Sequence, residues 1–231
     1  MKNYQTQDIK NLITNSKTAL VVVPQLTIDS LGSALALALL LKKSNIETKV
    51  FCPTKTDANY SKLSGLELIS ETHNENDLVV TLDYPLTQIE KVSYNQDNGK
   101  LNLVVQTKDG SPKVAENQIV ITNQSVPADI NFILGDESLL GANANIVTKG
   151  NWINISSVSI QKAWAKVNLI DQDAPYAEIL TFLLPMLGLE LNLEAAKNLL
   201  IALRVATQSF SINVSPETFE AGAACLRATQ V

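Results

Sequence analysis

The sequence predicts an α/β fold: a mostly parallel sheet flanked by helices, with an inserted β-hairpin region. Three observations predict it. Short β-branched runs at residues 19–23, 77–83 and 130–134 read as buried strands. Apolar helical stretches alternate with them, as right-handed parallel crossovers require. Between residues 89 and 107 the pattern changes to alternating apolar and polar residues around Asp97, Asn98 and Gly99, a hairpin signal.

The elements follow in order. Residues 6–16 carry Ile9, Leu12 and Ile13 at helical spacing. The run at 19–23 stops at Pro24, and a polar loop leads to LGSALALALLLKK. Asp29 or Ser30 is the expected N-cap of that helix, and Lys42 and Lys43 sit where the helix dipole favours cations. The helix is apolar nearly all round, so it packs against a sheet. Residues 48–52 form the next strand, a helical turn is expected near 60–63, and the strand 77–83 ends on Asp83. After the hairpin, 115–121 is a further candidate strand, 130–134 returns to the parallel sheet, and 152–155 is short. Residues 176–187, 194–208 and 218–228 read as helices, the last introduced by Ser215 and Pro216.

Composition bounds the function. The chain has 231 residues and 45% hydrophobic residues, enough for one large domain spanning 1–231, with about 89–121 as an insertion. A net charge of −5 with scattered Lys and Arg makes a nucleic-acid partner unexpected. The polar N-terminus and the short apolar runs predict no signal peptide, no membrane span and a cytoplasmic location. Cys52 and Cys225 lack zinc-site spacing and read as free thiols. His73, the single histidine, reads as a solvated loop residue, and Trp152 and Trp164 as packing residues rather than base-stacking ones.

In a parallel α/β sheet, ligands gather beyond the carboxyl ends of the strands. The loop 24–30, Asp83 and residues 155–159 point there. Asp29 and Asp83 could share a divalent cation, or could simply cap a helix and a turn.

The segment VVVPQLTIDSLGSALALALLLKK resembles the first motif of the DHH-family phosphoesterases, HxNPDGDAxGS before an apolar helix. Val23 stands at the family's histidine, Thr27 at its first aspartate and Asp29 at its second, and Gly32 and Ser33 match its Gly-Ser. Asp83 matches the aspartate of the second motif. Ser156, Ser157 and Val158 replace the Asp-His-His of the third, in Ile153-Asn154-Ile155-Ser156-Ser157-Val158. The flank VNLIDQDAPYAEIL is similar to VNLVDPDASSTAEIL, with Asp171, Ala174 and Glu178 in place. In the fourth motif, GIxTDTxxF, Ala206 replaces the aspartate while Thr207 and Phe210 remain. The resemblance runs over roughly residues 6–228.

The resemblance implies two divalent cations, commonly manganese. One would be held at the positions of Val23, Thr27 and Asp83, the other at Asp29, Asp83, Ser157 and Ala206. Val158 stands where a histidine would meet the substrate phosphate. Valine and alanine carry no donor atom, and neutral hydroxyls do not replace carboxylate charge. No cofactor, metal or catalytic residue is therefore expected. The implied function is an inactive phosphoesterase homologue acting as a binding, scaffold or self-association module, with an unidentified protein or a second copy as partner. The alternatives are a nucleotide-phosphate sensor, with Ser30, Gly32 and Ser33 facing the phosphate, and a residual metal-dependent phosphoesterase using Asp29 and Asp83, with a third oxygen from Asp136 or Asp171. The family's C-terminal substrate-binding domain is expected to be absent.

Overall fold

The computed structural model describes residues 2–72, 78–123 and 127–230. In chain order the elements are α1 (Gln7–Thr14), β1 (Thr18–Val22), α2 (Ile28–Lys43), β2 (Glu47–Phe51), β3 (Ile69–Ser70), β4 (Leu78–Leu82), β5 (Ile89–Asp97), β6 (Lys100–Thr107), β7 (Ile119–Asn123), β8 (Ile130–Leu134), β9 (Trp152–Ser156), β10 (Val167–Ile170), α3 (Tyr176–Met186), α4 (Leu193–Ala206) and α5 (Pro216–Ala228). The chain divides into two compact units, Met1–His73 with Pro127–Val231, and Asn74–Val126. The expected insertion, 89–121, falls inside the second.

The first unit is built on a six-stranded sheet in the order β10-β9-β8-β1-β2-β3. Each neighbouring pair is parallel. The β-strand period of two divides its apolar side chains between two faces. Val21, Val23, Phe132, Leu134, Ile153 and Ile155 enter one large core, to which all five helices contribute. Val22, Ile133 and Trp152 enter a smaller one, under the 3₁₀ segment Glu137–Thr148. Burial on both faces explains why these strands read as mainly apolar runs, interrupted by the buried Asn131, Asn154 and Ser156.

Helix α2 packs against α3 and α4. Gly32 sets its approach to α4, because a Cβ there would meet Ala202 Cβ at 3.1 Å and the Asn198 carbonyl oxygen at 3.2 Å. The N-cap of α2 is Thr27, rather than Asp29 or Ser30. Its side chain accepts from the Ser30 N–H, and the Ser30 side chain accepts from the Thr27 N–H, a reciprocal capping box.

The second unit holds two separate two-stranded antiparallel sheets, β4 with β7 and β5 with β6. The expectation that the strand before Asp83 joins the parallel sheet is corrected here. Leu78 and Thr81 of β4 are exposed, and a strand whose side chains reach solvent does not need helices over both faces. The strand beside β2 is instead the short β3, whose sequence shows no apolar run. The hairpin turn is as expected: Asn98 (φ 50°) and Gly99 (φ 74°) take the left-handed conformations of a type I′ turn. Among the described residues, no helix is long and apolar enough to cross a membrane.

Candidate functional site

Strand order reverses between β1, whose next strand β2 lies on one side, and β8 on the other. The loops leaving β1 and β8 diverge there, which opens the crevice where doubly wound sheets bind ligands. The residues at this edge are Val23 and Pro24 after β1, Gly135 and Asp136 after β8, and Ser157 after β9.

Asp29 lies in the first turn of α2 and turns its carboxylate to α3. Oδ2 accepts from the Tyr176 N–H and Oδ1 from the Ala177 N–H, each at 2.9 Å. The first amides of a helix have no partner within it, so Asp29 caps α3 from another helix. Burial pushes its pKa up to about 6, against the opposing pull of the Ala177 and Tyr176 amides, and the Glu178 charge adds to the rise.

Most of the neighbouring polar groups are committed as well, though the buried Ser33 hydroxyl has no partner among the described residues. Val23 is fully buried and extends the strand pairing through its N–H to the Phe51 carbonyl. The Thr27 and Ser30 hydroxyls close the capping box, and Ser30 also donates to the Gln25 carbonyl at 2.6 Å. Gly32 faces α4, and Ser33 is buried. The Ser156 hydroxyl bonds both the N–H and the carbonyl of Val158, whose own side chain is exposed. Ala206 ends α4, and Thr207 is buried with its hydroxyl on the Leu203 carbonyl. Phe210 stacks on Phe219.

Asp83 is exposed and belongs to the second unit, where its N–H and carbonyl are bonded to Gln118. Asp29 belongs to the first unit. His73 lies outside the described residues. Trp152 is buried and meets Trp164 edge to face at 6.1 Å. No group of three or more His, Cys, Asp or Glu side chains able to hold a metal ion occurs among the described residues.

Three features escape sequence reasoning. The first is Tyr176. Its hydroxyl would lie 3.7 Å from a Cβ placed on Gly135, beside Pro24 at 3.5 Å. Burial raises its pKa while its hydrogen bond to Ser157 works the other way, with the Asp29 charge adding to the rise. The phenol therefore lies by the carboxyl ends of β8 and β9, next to Gly135 and Ser157. The signal available was Pro175-Tyr176, where the resembling segment carries small Ser and Thr.

The second is Lys162, which pairs with Asp136 at 3.2 Å and Glu137 at 2.8 Å. Hydrogen bonds from Ser138, and then Lys162, hold the Asp136 carboxyl down at about 2. The third is the N-terminal segment. Lys2 bridges Asp171 and the buried Glu178, both at 2.6 Å, Tyr4 donates to Asp171, and Thr218 donates to Glu178 at 2.6 Å. A cavity of about 540 Å³ lies beside this cluster. Asp136 and Asp171, the two candidate third oxygens, thus each hold a lysine.

No protein-family model matches the chain, and no curated protein is recognisably similar to it in sequence. Among solved structures it is similar to an exopolyphosphatase-related protein from Bacteroides fragilis, with a TM-score of 0.67 and 14% identity. That likeness covers 96% of this chain and 55% of the other, so the chain spans about half the length of its neighbour. At this identity the likeness is one of fold.

Proposed function

We propose that this chain is a non-catalytic homologue of DHH-type phosphoesterases that works as a binding, scaffold or self-association module. The observation that carries the reading is Asp29. Both oxygens of the acid best placed to ligate a metal already accept amide protons of α3. A carboxylate so engaged keeps lone pairs, but turning it to a cation would uncap α3.

The remaining donor set does not fit two divalent cations. Val23 and Ala206 offer no side-chain donor, Thr27 is tied into a capping box, and Ser157 hydrogen-bonds Tyr176. Tyr176 stands over Gly135, in the crevice where a phosphate would enter, and Lys162 already neutralises Asp136. The fold shared with an exopolyphosphatase-related protein supports descent from a phosphate-processing ancestor.

The test is turnover with added manganese on linear polyphosphate, dinucleotides and cyclic dinucleotides, paired with manganese calorimetry. The expected result is no hydrolysis above blank and no metal heat. Manganese-dependent hydrolysis that disappears in Asp83→Ala would overturn the proposal.

A further inference from the structure

The β5–β6 hairpin exposes an organised apolar face and an unpaired strand edge. Its register is Val92↔Val105, Tyr94↔Leu103 and Gln96↔Leu101, so these side chains share one face. Val92 is 62% exposed, Tyr94 72%, Leu101 64% and Leu103 57%. The other face carries Lys91, Ser93, Asn95 and Asp97. Large apolar side chains gathered on one face of an isolated hairpin mark an interaction surface.

The turn fixes which main-chain groups are free. Asp97↔Lys100 closes a two-residue loop and is a hydrogen-bonded pair, so Asn95↔Asn102 and Ser93↔Val104 are bonded pairs too. The N–H and carbonyl groups of Val92, Tyr94 and Gln96 therefore point away from β6. Among the described residues β5 has no other strand beside it. A bulge between Ile89 and Lys91 bounds this edge at one end, and the turn bounds it at the other.

We propose that a second copy of this chain pairs antiparallel along the outer edge of β5, on a two-fold axis at Tyr94. This deepens the binding-module reading above, on which it rests, by naming partner and surface. The charge pattern argues for a second copy. Lys91 and Asp97 lie at equal distances either side of Tyr94, so each Lys91 falls opposite Asp97 of the other copy. Val92 then faces Gln96 of the second copy, Tyr94 faces its counterpart, and each pair exchanges main-chain hydrogen bonds. Centring on Ser93 instead sets Lys91 against Asn95 and forfeits both Lys91–Asp97 pairs. The Tyr94 register also keeps the apolar residues of both copies on one face of a four-stranded sheet. It removes the open edge that otherwise invites unspecific association.

The experiment is sedimentation velocity of the full chain over a concentration series, without added metal or substrate. A monomer–dimer equilibrium is expected. Lys91→Glu is expected to weaken it about tenfold, because the two-fold axis counts the lost pair twice. Tyr94→Pro, which deletes the central donor, is expected to leave only monomer. As a check independent of hairpin folding, Tyr94→Cys is expected to form an interchain disulfide on mild oxidation, and Asn102→Cys on the inner strand is not. A monomer at every concentration overturns the proposal. So does a dimer indifferent to Lys91→Glu in which Tyr94→Cys fails to cross-link. Neither outcome bears on hydrolysis, so failure here is distinguishable from failure of the non-catalytic reading.

Discussion

Asp29 Oδ2 receives the main-chain N–H of Tyr176 at 2.9 Å, across 147 positions of sequence. With the Ala177 contact, this bond joins the start of α2 to the start of α3, and the hydroxyl of the same Tyr176 lies beside Gly135. One acid thus anchors the helix whose first side chain reaches Gly135 and Ser157.

Asp29→Ala should cost about 1–2 kcal/mol at neutral pH, the usual loss for a removed N-cap. Urea denaturation checks it. An acid kept for metal binding would behave oppositely, because its removal relieves repulsion in the metal-free protein.

The same acid gives a pH signature. Its folded pKa of about 6 lies above the ordinary 3.8, so between those values the folded state holds more protons. The contribution is fully present below about pH 4 and is lost as pH rises through about 6. The stability difference between the native chain and Asp29→Asn should shrink by up to about 3 kcal/mol from pH 4 to pH 7. A flat difference across that window refutes the shift.

Gly32→Ala should destabilise by about 1–3 kcal/mol despite alanine's better helix propensity, because its Cβ would press on Ala202 and the Asn198 carbonyl. Ala202→Gly should recover part of the loss. A double-mutant cycle measures the coupling, and independent, additive effects would contradict the packing account.

Lys2→Met should lower stability by about 2–3 kcal/mol, since it leaves buried Glu178 without its cation. Glu178→Gln in the same chain should restore much of it. Thermal unfolding reports both.

Tyr176→Ala should cost about 2 kcal/mol, as expected for truncating a half-buried aromatic, and should not create manganese affinity. Calorimetry that detects tight manganese binding in this variant would identify Tyr176 as a plug over a competent site.

Much of the fold was legible from local pattern. The strands β1 and β8 were readable because burial on both faces favours mainly apolar residues, and β9 was readable as a short strand. The Asn98-Gly99 turn was readable because few residues take positive φ at both positions. The pairing of β4 was not legible: LVVTL suits either sheet type, and only its partner β7 decides. Strand β3 escaped because its two residues carry no period.

The sequence by itself determined most of the succession of strands and helices, though not β3 or β10, and the absence of side-chain donors at Val23 and Ala206, since both follow from residue type and short-range spacing. Tertiary structure alone decided that Asp29 caps α3, that Tyr176 meets Ser157, and that Lys2 neutralises Glu178. Those pairings join residues far apart in the chain, and packing of the helices on the sheet, not local backbone preference, brings them within hydrogen-bond reach.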